Sequence, residues 1–516
     1  MNFLLRSILL ISILILAITT ASAEGYDFDA DLSAFKTGNV NARASVHDPS
    51  VIRDGDYYYI FGTHMTAARS ENLRNFDRLA SDYTPRNPVW GNIFDESLHV
   101  FDYAGGPNSL IPTDDGRYHV WAPDVIYNKT TGQYMMYYCT SSTWNASNLC
   151  FGTADRIEGP YTWQANILCS GFSKSNIDKT DVQLYADEAW IKKNHLTLGD
   201  TYNYKKCPNA LDPTVFYDKD DRLWMVYGSY SGGIFLLQLD PATGLVIHPE
   251  ADKENDVDPY FGKKLLGGNH QSIEGPYILY DPDSDYYYLF VSYGGLNTHG
   301  GYQIRVFRSK EVDGEYLDMN GKKPGNAGHV RFGLKLSGNY ILPGVRVAYM
   351  ATGHNSAFID TDGKKYICYH TRYNNGTEGH SPMVKQYFLN AEGWPCMLPY
   401  ATRMEEIAPV TANKAAGRYY VIDQGTAIND AVAEPFIMYL NDDGTAVTEN
   451  DTGVWTLTGD YCMTVTFGGE TFSGIFCETQ DDAGTPVLTF SAVGGNRSLW
   501  GVTYGEGTCV SGDGSA

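Results

Sequence analysis

Hydrophobic and polar positions repeat as a strand–turn–strand unit five times between residues 47 and 372. Each copy opens on a polar or acidic residue, continues as a short apolar strand and a turn rich in Gly, Asp or Ser, and ends in a second strand rich in Tyr and Phe. The copies are "HDPSVIRDGDYYYIFGTH" (47–64), "WAPDVIYNKTTGQYMMYYCTSS" (121–142), "LDPTVFYDKDDRLWMVYGSY" (211–230), "IEGPYILYDPDSDYYYLFVSYG" (273–294) and "HNSAFIDTDGKKYICYHTR" (354–372). The pattern predicts a β-rich chain in which one unit is built several times.

A strand pair of this kind cannot bury both faces alone, whereas stacking the units around an axis covers each face with the next sheet. The residues that open the copies are spaced 76, 88, 62 and 80 positions apart, and they are Asp48, Asp124, Asp212, Glu274 and His354. Spacings of this size, with few helical patterns, predict a five-bladed β-propeller of four-stranded blades. Because the innermost strand of each blade begins near the axis, we expect the opening residues to converge there.

The repeat fades near residue 400, where shorter strands with tight turns begin. We therefore predict an all-β fold: a five-bladed propeller over residues 24–400 and a smaller C-terminal β-barrel or β-sandwich domain over 401–508. The last residues, 509–516, have the composition of the start of a linker.

The first 23 residues have the features of a secretory signal peptide, with a basic residue, a nearly unbroken apolar run and a final "ASA". Since no later stretch that could cross a bilayer lacks charges, we expect a secreted monomer with no membrane partner. Lys and Arg number 38 against 61 Asp and Glu, a net charge of −23 that repels phosphate polymers and argues against nucleic acid. The nine cysteines allow a few disulfides and leave at least one unpaired.

Carboxylates that converge in an axial cleft can hydrolyse a glycosidic bond. The reaction needs one acid to protonate the leaving oxygen and one base to activate water, held roughly 6.5–9.5 Å apart in an inverting enzyme. Asp48, Asp212 and Glu274 would supply this pair and a third carboxylate, whose charge raises the pKa of the acid. A single Asp-Pro is more often an ordinary turn, but acids at equivalent positions of a repeat are harder to explain in that way.

Two further residues near the expected axis have open interpretations. His354 opens the fifth copy, where it either completes the structure or holds a water or a hard cation, although calcium prefers oxygen ligands. Trp121 either packs between blades or presents its ring to a sugar.

Several segments together resemble family 43 of the glycoside hydrolases. They are "VHDPSVI", "WAPDV", "LDPTVFYDKDDRLWMVYGSYSGGIFLLQLD", "YFGKKLLGGNHQSIEGPYILYDP", "GGYQIRVFRSK", "GHNSAFID" and "YHTRY". The similarity runs from about residue 40 to the end, where "GVWTLTGD" and "TFSGIF" resemble a C-terminal β-domain. It is greatest to the secreted two-domain endo-α-1,5-L-arabinanases of that family.

The resemblance implies inverting hydrolysis of arabinan, with Asp48 as general base, Glu274 as general acid and Asp212 as the carboxylate that tunes and orients the acid. It implies that His354 holds a central calcium ion, largely through waters. Residues in or near the matching segments are then predicted to contact substrate, namely Trp121, Asp124, Ser229, His270 and Arg372. The chain departs from the family pattern after "HTR", so no role is carried over to Glu378 or His380.

Two alternatives remain at the level of sequence. An exo-acting α-L-arabinofuranosidase or β-xylosidase would use the same scaffold with a cleft closed by loops. A non-catalytic carbohydrate-binding propeller would keep the fold without the reaction, although the intact set of acids argues against it.

Overall fold

The computed structural model describes residues 25–81, 83–325 and 328–505. The predicted signal peptide (1–23) and linker (509–516) lie outside the described residues. The described chain is all-β and folds into a propeller-like arrangement of sheets and a closed eight-stranded barrel.

The first 22 strands form the sheets of the propeller-like part. In chain order they are β1 (Ser50–Asp54), β2 (Tyr57–Gly62), β3 (Thr66–Ser70), β4 (Asp77–Ala80), β5 (Val120–Asn128), β6 (Gln133–Ser141), β7 (Ser147–Ala154), β8 (Thr162–Ser170), β9 (Thr214–Tyr217), β10 (Leu223–Tyr227), β11 (Ile234–Leu239), β12 (Val246–Ile247), β13 (Val257–Asp258), β14 (Gly262–Leu266), β15 (Ile273–Asp281), β16 (Tyr286–Tyr293), β17 (Gln303–Ser309), β18 (Leu334–Ser337), β19 (Tyr349–Ile359), β20 (Lys365–Tyr373), β21 (His380–Leu389) and β22 (Pro395–Met397). The predicted strand–turn–strand units correspond to the hairpins β1–β2, β5–β6, β9–β10, β15–β16 and β19–β20.

Four of these sheets are separate blades. The strands β1–β4, β5–β8 and β19–β22 each form a four-stranded antiparallel sheet, and β9–β14 form a sheet of six. The strands β15–β18 have the same order but continue into the barrel, because β18 pairs in parallel with its last strand at Lys335 and Arg497. The first strands contact one another in the order β1, β5, β9, β15, β19 and back to β1.

Apolar residues fill the space between neighbouring sheets. For example, Phe61 and Tyr138 belong to one core between the first two sheets, whereas Ile60 and Cys368 belong to another between β1–β4 and β19–β22. Alternate residues of a strand point to opposite faces, so the adjacent Ile60 and Phe61 serve different cores. This is why consecutive aromatic and aliphatic residues occur in the second strands.

The C-terminal part is a closed barrel of eight antiparallel strands. They are β23 (Gly417–Asp423), β24 (Phe436–Leu440), β25 (Thr445–Thr448), β26 (Thr452–Leu457), β27 (Cys462–Phe467), β28 (Glu470–Gln480), β29 (Pro486–Gly494) and β30 (Arg497–Thr503). The barrel closes because β30 pairs with both β29 and β23. Of the two predicted forms of this domain, the structure therefore has the barrel.

The two parts share a buried junction. Lys385 of β21 is fully buried, donates a hydrogen bond to the Pro399 carbonyl (2.7 Å), and has its Nζ 4.4 Å from the Tyr340 ring centre and 4.1 Å from that of Trp500 in β30. Cation–π contacts and one carbonyl thus replace the water that this ammonium group loses.

Helices are short. They are α1 (Val182–Tyr185), α2 (Glu188–Trp190) and α3 (Ala412–Ala415), with 3₁₀ turns at Glu96–Leu98 and Ile177–Lys179 and a π-turn at Ile191–His195. None of the helices in the described residues is both long and apolar enough to span a bilayer.

Eight of the nine cysteines lie in the described chain, and all eight are free thiols. The disulfides that the cysteine count allowed are therefore not formed among them.

Candidate active site

The first strand of each group has a residue in the left-handed backbone region, either just before the strand or within it. These residues are Asp48 (φ 54°), Ala122 (41°), Asp212 (55°), Gly275 (55°) and His354 (49°). The first four are followed by proline, which disfavours the right-handed helical region for the residue before it. A non-glycine residue with positive φ is uncommon and costs free energy, and such residues cluster at functional sites.

These five positions correct the equivalence predicted from sequence. Asp48, Asp212 and His354 do occupy matching places, but Asp124 lies two residues after its left-handed residue, and Glu274 lies one residue before. The strands β5 and β15 each carry a bulge at this point, which re-aims the side chains.

Asp124 sits between strands, where substrate cannot easily reach it. Only 2% of its surface is exposed, and its carboxylate accepts hydrogen bonds from the Ser50 hydroxyl and from the Val215 backbone N–H (2.7 Å). Burial raises its pKa to about 6, against the lowering effect of these hydrogen bonds. The structure therefore places Asp124 as a tie between three neighbouring sheets rather than at the surface of a cleft.

Asp48 lies among imidazoles. Its Oδ2 is 2.8 Å from His47 Nδ1 and accepts a hydrogen bond from the Thr63 hydroxyl (2.5 Å), while its Oδ1 is 3.0 Å from His354 Nδ1. Its backbone N–H donates to His370 Nδ1 (3.3 Å). Burial alone would raise the pKa of Asp48, but His354 and His47 outweigh it and hold the pKa well below its usual range. Asp48 is therefore an ionised carboxylate, as a general base must be.

Glu274 lies among hydroxyl groups. Tyr302 donates to its Oε1 (2.7 Å) and Ser229 to its Oε2 (3.0 Å). Burial raises the pKa of Glu274, the charge of Asp48 acts in the same direction, and the two hydroxyls and His354 oppose them without reversing the shift. The pKa of Glu274 is thus shifted in the direction that a general acid needs.

Asp212 is buried beside Glu274 and accepts a hydrogen bond from the Gly275 backbone N–H (3.2 Å). Burial raises its pKa to about 7, and the charges of Glu274 and Asp48 add to the rise while His354 opposes it. Asp212 and Glu274 interact strongly enough to titrate as a pair. The charge of either carboxylate makes the other harder to ionise.

The imidazole of His354 interacts with all three carboxylates. Burial lowers the pKa of its imidazole, but Asp48, Asp212 and Glu274 together raise it to about 9. Its backbone N–H donates to the Ser292 hydroxyl (2.6 Å), and a side chain at Gly275 would press on its ring, since a Cβ there would lie 3.0 Å from His354 Cγ. Asp48, Asp212 and Glu274 therefore lie around the His354 imidazole, whereas Asp124, which was also expected near the axis, does not.

Stacked rings connect the surroundings of Asp48 with those of Glu274. The rings of His47 and His370 stack at 3.9 Å between centroids, and His370 stacks on Tyr302 at 5.6 Å and 18°. His47 touches Asp48 and Tyr302 donates to Glu274, so the three stacked rings link the surroundings of the two carboxylates. Sequence reasoning missed His47, His370 and Tyr302; of these, only His47 adjoins an opening residue.

The other predicted substrate contacts differ in their surroundings. Arg372 is buried and donates from Nε to the Leu296 carbonyl (2.8 Å), with Nη2 3.3 Å from His47 Nε2. Trp121 is partly exposed beside Ala122 and stacks on His119 at 5.3 Å. His270 is exposed, with the rings of Tyr204 and Tyr230 5.6 and 5.5 Å away. Trp121 and His270 can meet a ligand, whereas Ser229 and Arg372 already serve protein groups.

Metal-binding geometry among the described residues centres on His47, Asp48 and His370, whose possible ligand atoms lie within 4.8 Å of one another. Two nitrogens and one oxygen are a poor set for calcium, which takes six to eight oxygens. His354 has its Nδ1 turned to Asp48 and would need waters to complete a calcium shell. The predicted calcium ion thus fits only as a largely water-coordinated ion.

Comparisons with known proteins agree with this geometry. Residues 189–395 match the model of the glycosyl hydrolases family 43, and residues 399–501 match its C-terminal lipocalin-like domain. An extracellular endo-α-(1→5)-L-arabinanase from Thermotoga petrophila is 36% identical over 96% of this chain and 99% of its own length. Extracellular endo-α-(1→5)-L-arabinanase 2 from Bacillus subtilis is 36% identical over 89% of this chain and 92% of its own.

Solved structures give the same result. The crystal structure of endo-1,5-α-L-arabinanase from Thermotoga petrophila superimposes with a TM-score of 0.78 at 36% identity, covering 91% of this chain and all of that one. Both parts of the molecule, the propeller-like ring and the barrel, are therefore present in a protein of similar architecture.

Proposed function

The chain belongs to glycosyl hydrolase family 43, and from this premise we propose that it is an extracellular enzyme that cuts internal α-1,5-L-arabinofuranosidic linkages of arabinan with inversion. The relatives that match it over nearly their whole length are named as extracellular endo-arabinanases. The observation that carries the mechanism is the opposite pKa shift of two carboxylates at one centre: the pKa of Asp48 is lowered by His354 and His47, and that of Glu274 is raised by burial.

In the proposed reaction a water molecule attacks the anomeric carbon while the bond from that carbon to the leaving oxygen breaks. Asp48 takes the proton of the attacking water, and Glu274 gives its proton to the leaving oxygen. Attack from the face opposite the leaving group inverts the configuration. Asp212 keeps the proton on the acid, since a second negative charge beside Glu274 disfavours its ionised form.

Substrate recognition falls to the residues that face solvent. Trp121 offers a partly exposed ring next to the catalytic positions, and His270 an exposed imidazole. Ser229 orients the acid through its hydrogen bond, and Arg372 holds His47. Asp124 acts on substrate only through the strands that it ties together.

We further propose that β15–β18 are the fifth blade of a five-bladed ring. The closed circuit of first-strand contacts supports it, as do hydrogen bonds two residues beyond the left-handed positions: Ser356 donates to the Pro49 carbonyl (2.7 Å), and Thr214 to the Pro276 carbonyl (2.9 Å). With the bonds of Asp124, they fasten neighbouring blades close to the axis.

A central calcium ion is a separate proposal. His354 would hold it through waters, and the ion would supply positive charge next to three carboxylates that a single imidazolium offsets only in part. Calorimetric titration of the chelator-treated protein, with His354→Gln as the comparison, measures this binding directly. Equal calcium affinity in both proteins would remove His354 from the site.

The substrate proposal implies a secreted monomer that acts on a neutral polysaccharide, without nucleic acid or membrane partners. The exo-acting enzyme and the non-catalytic binding protein are not favoured, since near-full-length relatives are named endo-acting enzymes. Gel filtration of the purified chain tests the oligomeric state.

The experiment compares the protein and Glu274→Ala on linear arabinan. We expect the wild type to release a ladder of oligosaccharides early in the reaction, and the variant to be roughly 10²–10⁴-fold slower because its general acid is gone. If arabinose is the sole product from the first minutes, the enzyme is exo-acting and the proposed endo mode of action is wrong. Equal rates in both proteins would remove Glu274 from the mechanism, and binding without any new reducing ends would refute hydrolysis of this polymer.

A further inference from the structure

Trp144 differs from every other tryptophan of the chain. All nine tryptophans lie in the described residues, and eight are buried or partly buried, whereas Trp144 is 72% exposed. Leaving the large apolar ring of tryptophan in water gives up stabilisation that burial would provide. The fold itself therefore gains little from a tryptophan at this place.

The backbone of Trp144 is strained as well. Its φ is 51°, a left-handed value that is a genuine outlier for a bulky residue and that a glycine would adopt freely. An exposed turn position with positive φ is ordinarily filled by Gly, Asn or Asp. Strain of this kind at an exposed aromatic residue points to a use outside folding.

The turn that carries Trp144 is fastened from three sides. Ser147 donates to the Trp144 carbonyl (2.9 Å), Ser170 donates to the Asn145 carbonyl (2.6 Å), and the Ser231 hydroxyl donates to Asn145 Oδ1 (3.2 Å). The base of the ring is thus held in place while its surface stays free. A preorganised aromatic surface loses little entropy when a ligand covers it.

Trp144 lies on the face of the molecule that holds the carboxylates. Strand β6 pairs Cys139 with Trp121, so the β6–β7 turn begins just beyond the level of the catalytic positions. Ser231, which bonds Asn145, is two residues from Ser229, the hydrogen-bond donor of Glu274. One loop therefore connects the Trp144 turn to the general acid.

We propose that Trp144 is a platform for a sugar ring of the substrate chain, outside the unit being cleaved. The ligand class is an uncharged pentofuranose polymer, whose apolar C–H face packs on an aromatic ring while its hydroxyls stay in water. The inference rests on the proposed function and deepens it, because an enzyme that cuts inside a chain must hold sugars beyond the cleaved linkage.

The test replaces Trp144 by glycine and by phenylalanine and measures kinetics on linear arabinan and on arabinotriose. For Trp144→Gly we expect KM on arabinan to rise about tenfold, kcat to stay within about twofold, and arabinotriose kinetics to be unchanged. Trp144→Phe keeps an aromatic surface and recovers most of the loss. The thermal midpoint of Trp144→Gly should equal or exceed that of the wild type, since glycine accepts this φ.

Val454→Ala on barrel strand β26 is the matched control, because it removes another exposed apolar side chain; its KM on arabinan should not change. An unchanged KM for Trp144→Gly on arabinan overturns the platform while leaving hydrolysis intact. A rise in KM that is equal on arabinotriose overturns it too, since the sugar would then lie at the cleaved unit. If the wild type does not cut arabinan, the proposed function is wrong. The platform can then be tested alone by affinity electrophoresis in gels that contain arabinan. Equal retardation of the wild type and Trp144→Gly would refute it.

Discussion

The two sides of the catalytic centre are built from different chemistry. On the side of Asp48, two imidazoles lie within 3.0 Å of the carboxylate oxygens; on the side of Glu274, the neighbours are the hydroxyls of Tyr302 and Ser229. Burial raises the pKa of both acids, yet that of Asp48 falls and that of Glu274 rises. Positive charge within contact distance therefore overrides burial, and hydroxyl donors do not.

This contrast supports the two roles that we propose for Asp48 and Glu274. Environments that push the pKa values of neighbouring acids apart identify the base and the acid. The stack of His47, His370 and Tyr302 links these two environments, since His47 touches Asp48 and Tyr302 donates to Glu274.

Replacing Asp48, the proposed base, should lower the rate more than any other change to the two sides of the centre. Asp48→Asn keeps the size of the side chain but cannot accept the proton of water, so we expect kcat to fall roughly 10²–10⁴-fold. The loss should be the same on arabinan and on an aryl arabinofuranoside, because a good leaving group replaces the acid and not the base. Glu274→Ala is the comparison, and its loss should shrink on the aryl substrate. A loss for Asp48→Asn that also shrinks there would contradict its role.

Removing the third carboxylate should weaken the acid side alone. In Asp212→Asn, Glu274 loses a like charge, so its pKa falls and the alkaline limb of the kcat profile moves to lower pH. We expect a loss on the order of tenfold to a hundredfold at neutral pH, with partial recovery in more acidic buffer. Asp221→Asn, which removes an acid of a surface ion pair with Lys129, should leave the profile unchanged. A uniform loss at every pH would mean that Asp212 only shapes the site.

Removing one hydroxyl should give the smallest and most specific change. The Tyr302 hydroxyl favours the ionised form of Glu274, so Tyr302→Phe raises the pKa of Glu274 and moves the alkaline limb to higher pH, opposite to Asp212→Asn. The phenyl ring keeps the stack on His370, and the loss of one hydrogen bond should lower kcat only about twofold to tenfold. Tyr217→Phe, whose hydroxyl accepts a hydrogen bond from the Lys129 backbone, serves as control. A shift to lower pH would refute this account of the acid side.

Much of the ring could be predicted from sequence because each unit carries its own signals. The five hairpins were visible as alternating apolar runs around polar turns, and the convergence of Asp48, Asp212, Glu274 and His354 followed from repetition alone. The register was predicted with an error. The prediction aligned the acids of "WAPDV" and "HDPSV". In the structure the prolines of the two segments occupy equivalent positions, so the residue that matches Asp48 is Ala122 and not Asp124.

The rest of the site depends on pairings that a single sequence does not reveal. His370 reaches Asp48 because β20 pairs it with Gly353, next to His354, and nothing in "CYHTRY" marks that partner. Tyr302 is one of 39 tyrosines, most of which pack in strands. Closure of the C-terminal strands into a barrel likewise depends on β30 meeting both β23 and β29, contacts between segments that are distant in sequence.

The parallel pairing of β18 with β30 has a consequence for how this molecule can be divided. Strand β18 is the outer strand of its group of four, and an uncovered outer strand offers free amide and carbonyl groups to any passing chain. The barrel covers part of that edge through the pairing of β18 with β30, and its Trp500 contacts the ammonium group of Lys385. A protein shortened to the propeller-like part would therefore have an exposed strand edge that favours aggregation, and the ammonium group of Lys385 would lose its contact with Trp500. The barrel thus contributes to the solubility of the enzyme as well as to its fold.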